Sequence, residues 1–112
     1  MDTEEYCKMF IKTDMEQIQL YAFFVNVLHG EKDSKRTVVL DCSEIDVCQN
    51  KEYDSNKQND FLYWKLYLDI QKLSDETDFD SFLKEIKQIK TVLSANGVET
   101  VIACSFEDLL KD

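Results

Sequence analysis

At 112 residues the chain is the size of one domain, and a hydrophobic content of 44% is enough for a core, which argues against wholesale disorder. The net charge is −10, from 23 acidic against 13 basic residues, and it is spread along the chain: residues 1–60 hold 13 acids and 7 bases, residues 61–112 hold 10 and 6. That balance argues against direct contact with nucleic acid or an anionic membrane, both of which call for Lys and Arg, and favours a basic partner. With no Pro, two Gly and no linker-like tract, residues 1–112 read as a single domain. Met1 to Glu5 is acidic where a signal peptide is basic, and no apolar run is long enough to span a bilayer, so the expected location is cytoplasmic.

The first element is a strand over residues 6–12. Cys7, Met9 and Ile11 form its core face, and Tyr6, Lys8, Phe10 and Lys12 the opposite one. Thr13 to Glu16 has the spacing of a capping box. The helix that follows is expected to bury Ile18, Tyr21, Ala22, Val25 and Leu28, widened by Leu20, Phe24 and Val27, and to end at Gly30. His29 falls at that helix C-terminus, a structural position.

Thr37 to Leu40 is β-branched and short, and Glu44 to Cys48 alternates acids with apolar residues. The two fit either one bent strand or a hairpin. A polar stretch then leads into Phe61 to Lys72, which reads as the clearest strand. Leu62, Trp64, Leu66, Leu68 and Ile70 occupy one face, and Phe61, Tyr63, Lys65, Tyr67, Asp69 and Gln71 the other. Asp75 to Asp78 marks a helix start. Phe79, Phe82, Leu83, Ile86, Ile89 and Leu93 supply the best helical stripe, which Gly97 ends. Val98 to Cys104 reads as a buried strand, and Ser105 caps a last helical turn.

The order β-α-β-β-α-β predicts an α+β, ferredoxin-like sandwich: a mainly antiparallel sheet with two helices on one face. The other sheet face is left for solvent or a partner. On it, or in the adjoining loop, fall Glu44, Asp46, Glu52, Tyr53, Asp54, Asp60, Tyr63, Tyr67 and Asp69, a mixture of acids and Tyr suited to protein contact. Paired carboxylates also serve acid–base chemistry, but no catalytic motif accompanies them. Four cysteines without a CxxC pair and one histidine do not suggest a zinc site, and no cofactor is expected.

Four segments carry a family resemblance: FIKTD at 10–14, EIDVCQN at 44–50, YDSNKQNDFLYWKLYLDI at 53–70 and VIACSFEDLL at 101–110. Together they resemble short bacterial immunity proteins encoded beside polymorphic or contact-dependent growth inhibition toxins. The resemblance implies a protein without catalysis of its own that binds one toxin domain, often a basic nuclease, and occludes it. The alternative expectation is a small ligand-sensing regulatory domain that forms a homodimer through its open sheet face.

Overall fold

The computed structural model describes residues 6–110, so the acidic stretch over residues 1–5 lies outside the described residues. The elements run β1 (Tyr6–Lys12), α1 (Gln17–Val27), β2 (Glu31–Lys32), β3 (Thr37–Val39), β4 (Ser43–Gln49), β5 (Leu66–Lys72), α2 (Phe79–Ala95) and β6 (Glu99–Ala103). The strands form one antiparallel sheet in the order β2-β3-β4-β5-β1-β6. The α+β expectation holds, with more strands than expected. Residues 37–49 are a hairpin, with Thr37 opposite Asp46, and Glu31–Lys32 adds a short edge strand beside β3.

Strand alternation decides what lies inside. Cys7, Met9 and Ile11 of β1, Ile45 and Val47 of β4, and Leu66, Leu68 and Ile70 of β5 join one buried cluster. Leu20 and Phe24 of α1, and Phe82, Ile86, Ile89 and Leu93 of α2, belong to the same cluster, so both helices cover the same sheet face. Each such side chain contributes about 1.5–3 kcal/mol by leaving water. Residue Asp78 caps α2, its carboxylate accepting from the Ser81 N–H at 3.1 Å. Asn96 and Gly97, the latter at φ +77°, terminate it as expected. From the same helix, Glu85 accepts from the Cys42 N–H at 2.9 Å and the Ser43 hydroxyl at 2.6 Å, fixing α2 to the start of β4.

The structure corrects several details. The capping box of α1 sits one turn later than Thr13–Glu16: Glu16 is the N-cap, and its N–H donates to the Gln19 side chain at 2.7 Å. Helix α1 carries no charged residue, so its composition does not define an outward face. The core takes Leu20 and Phe24, while Ile18 is left 75% exposed and Val27 is also exposed. The left-handed residue at its end is His29, at φ +59°. Gly30 is required for space instead, because a Cβ there would lie 2.3 Å from the buried Val38 side chain.

Strand β5 starts at Leu66; Phe61–Tyr63 is a turn of 3-10 helix. Asp60 causes the difference, its carboxylate accepting from the Leu62 N–H at 3.0 Å and capping that turn. Alternation across 61–64 is therefore lost. Leu62 is 50% exposed, and Trp64, although buried, lies outside the helix-covered cluster. Strand β6 is an edge strand, with every residue half-buried or exposed. No helix among the described residues is long and apolar enough to cross a membrane.

Candidate functional site

The sheet face away from the helices is built in ranks, because directly opposed residues on antiparallel strands point to the same side. Glu44, Gln71 and Tyr6 make one rank across β4, β5 and β1; Asp46, Asp69 and Lys8 the next; Cys48, Tyr67 and Phe10 the third. Strand β3 extends the first two with Val39 and Thr37, and β6 extends the second and third with Ala103 and Val101.

The third rank is aromatic and covered. Phe61 packs edge-on against Phe10 with ring centroids 5.0 Å apart, and Trp64 packs against Phe61 at 6.5 Å. Tyr67 lies 6.1 Å from Phe10 on the same side. The buried Trp64 and Phe10 thus form a second, smaller apolar patch under the 50–65 loop.

The second rank is acidic and only half-buried. Asp46 and Asp69 oppose each other across β4 and β5, a pairing of like charges that disfavours the sheet. Each is held by a hydroxyl donor: Thr37 donates to Asp46 at 2.6 Å, and Tyr6 donates to Asp69. The Cys48 thiol approaches the other Asp69 oxygen at 3.9 Å. Lys8 stands in register with Asp69, but its ammonium lies over the Tyr67 ring, 4.3 Å from the centroid. Burial, followed by the hydrogen bond and charge of Asp69, raises the Tyr6 phenol far above its ordinary value. Burial also raises Tyr67 and Cys48, with Asp69 adding to both. Besides Lys8, whose ammonium is turned to the Tyr67 ring, the rank presents two carboxyl groups flanked by O–H and S–H groups, an arrangement that attracts an ammonium or guanidinium group.

No protein family, curated protein or solved structure matches this chain. The reading of the site accordingly rests on its own geometry.

The nine candidate residues divide between two places. Glu44, Asp46, Tyr67 and Asp69 share the sheet face. Glu52, Tyr53, Asp54, Asp60 and Tyr63 lie in the 50–65 loop. Tyr63, expected on the strand face, sits in the 3-10 turn with Lys57 stacked 4.6 Å from its ring. Asp54 and Asp60 each commit a carboxylate oxygen to the loop, accepting from the Asn56 and Leu62 N–H groups at 2.9 and 3.0 Å. Glu52 is exposed, and its N–H donates to the Asn50 side chain. Tyr53 is turned elsewhere: it lines an open cleft of about 1000 Å³ with Lys12, Asp14, Phe23, Lys65 and Glu99.

The loop is heavily cross-bonded. Asn50 donates to the Leu62 and Trp64 carbonyls at 3.0 and 2.6 Å, and Gln58 to the Asp54 and Tyr63 carbonyls at 2.7 and 3.0 Å. The Trp64 indole N–H donates to the Gln58 carbonyl at 2.9 Å.

The sequence places Tyr6 and Lys8 on the outward face of β1 but does not join them, or Thr37 and Cys48, to the candidate site. The signal was present for β1, whose alternation puts Tyr6 and Lys8 outward; what was lacking was the placement of β1 beside β5. Among the described residues, no group of three or more His, Cys, Asp and Glu side chains is arranged to hold a metal ion.

Proposed function

We propose that this protein is an immunity-type inhibitor that binds a basic bacterial toxin domain and blocks it by occlusion. The observation that carries the reading is the Asp46–Asp69 rank: two like charges face each other on a half-buried strip whose cation, Lys8, lies over the Tyr67 ring. Folding gains nothing from that juxtaposition, whereas a cationic side chain from a partner would relieve it. The overall charge of −10 would speed encounter with a basic domain. Tyr67 beside the acids supplies area and hydrogen bonding at low entropic cost. The strand order β4-β5-β1-β6 with two covering helices supports the finer reading of a ferredoxin-like sandwich extended by the β2–β3 hairpin.

The test is to combine the protein with the toxin encoded immediately upstream and follow both calorimetric titration and rescue of growth. A one-to-one complex at micromolar affinity or tighter, with rescue, is expected. Asp46→Lys and Tyr67→Ala should each weaken it by about tenfold or more, as centrally placed contacts do. No complex and no rescue would overturn the proposal. A complex indifferent to both substitutions would move the interface off this face.

A further inference from the structure

Of the four cysteines, Cys42 and Cys48 each have surroundings of their own, and the other two, Cys7 and Cys104, are neighbours. The register of β1 with β6 ends at Lys8 opposite Ala103, and Cys7 and Cys104 are the next residues beyond that end of the ladder, Cys104 in the bend that follows β6. Cys7 is fully buried and Cys104 half-buried against the same core. The Cys7 thiol has the Lys8 carbonyl as a long contact at 4.0 Å, and burial, followed by the neighbouring Cys104, raises its pKa, so the two sulfurs lie near each other. If the register of β1 and β6 is continued by that one step, the Cα atoms fall about 4.5–5.5 Å apart, inside the window of about 4.4–6.8 Å that a disulfide needs. Cys42 and Cys48 cannot imitate this. They are six residues apart along β4 and its approach, which at about 3.3 Å per residue keeps them far apart. Their neighbours are Glu85 and Asp69, respectively, rather than another thiol.

We propose that Cys7 and Cys104 are a redox-active pair that closes to a cross-strand disulfide when a low-molecular-weight disulfide of the glutathione class is present in excess. The half-buried Cys104 reacts first: its thiolate attacks one sulfur of the oxidant, forming a mixed disulfide and expelling one small thiolate, which takes up a proton. The Cys7 thiolate then attacks the Cys104 sulfur and expels the second. The two protein thiols lose two protons and two electrons, and the oxidant is reduced to two small thiols. Burial raises both thiols above their ordinary value, so only a small fraction of either is thiolate and closure is slow. The product ties the first strand to the last, closing a loop that contains almost the whole chain, the geometry in which a crosslink most restricts the unfolded state.

The test incubates the full-length protein with oxidised glutathione, quenches with a thiol alkylator and reads intact mass and crosslinked peptides. Expected are a loss of two hydrogens without a retained glutathione, a peptide joining Cys7 to Cys104, alkylation confined to Cys42 and Cys48, and a raised unfolding midpoint that a reductant reverses. The double variant Cys42→Ser, Cys48→Ser should close equally well. Cys104→Ser should lose both the crosslink and the midpoint shift. A stable glutathione adduct without closure, a crosslink through Cys42 or Cys48, or four alkylatable thiols after oxidation would overturn the proposal.

Discussion

The two faces of the sheet are made by the same strands and obey different rules. Toward the helices, β1, β4 and β5 present mainly apolar side chains that meet α1 and α2 in one cluster, the buried Ser43 excepted, which is bonded to Glu85 of α2. On the other side the same strands present ranks of mixed chemistry, aromatic at one end and acidic in the middle. The first face is tightly specified, since a polar group placed there loses water and needs a dedicated partner, as Ser43 has in Glu85. The second satisfies Asp46 and Asp69 individually with a hydroxyl and still leaves their like charges opposed. The fold is therefore specified by one face, and the other is free to carry recognition.

The largest expected effect lies on the helix-covered face. Phe82→Ala should cost about 3–5 kcal/mol in denaturant unfolding; a loss below 1 kcal/mol would mean that α2 does not seal this core. Trp64→Ala probes the aromatic end of the other face. It should cost about 3 kcal/mol, at the low end for such truncations, and should also expose the 50–65 loop to proteolysis as the bond to Gln58 is lost. Equal protease resistance in variant and wild type would show that the loop is held without the indole.

Asp46→Asn goes in the opposite direction. Removing one of two opposed charges should stabilise the protein by about 0.2–1 kcal/mol while weakening the proposed complex with a basic toxin domain. Lower stability would mean that the charged form is needed by the fold. The smallest effect is spectroscopic. The fold favours the neutral phenols of Tyr6 and Tyr67, so whatever stability they add is complete below their ordinary value of 10.0 and is lost as pH rises through the raised values. Alkaline titration of phenolate absorbance should show a late step for two of the five tyrosines. The step should shrink in Tyr6→Phe; a single common transition would count against the Tyr6–Asp69 bond.

Legibility in the sequence followed how strongly the physics constrained each segment. Strand β1 and helix α2 were readable because polar and apolar residues alternate with the period of the element, as in Cys7, Met9 and Ile11, or Phe82, Ile86, Ile89 and Leu93. Helix α1 was misread because it has no charged residue to mark the wet side. Its orientation depends on long-range bonds, Gln17 to the Val47 carbonyl at 2.6 Å and Tyr21 to the Ser34 carbonyl at 2.7 Å. The run Phe61 to Trp64 continued the alternation of β5 by coincidence, and the Asp60 cap, local and decisive, overrode it. The acids Glu44, Asp46 and Asp69 were legible as outward residues, but their ranking opposite one another depends on register, which separate strands do not reveal.

The 50–65 loop binds itself at both ends and through its middle, from the Asn50 N–H on the Lys65 carbonyl at 2.9 Å to the Asp54 N–H on the Tyr63 carbonyl at 3.1 Å. Its conformational entropy is therefore surrendered when the chain folds, not when another molecule arrives. A partner meeting Glu52 or Phe61 encounters a fixed shape. Association then has no ordering step to wait for, and its speed is set by diffusion, orientation and the pull of charge.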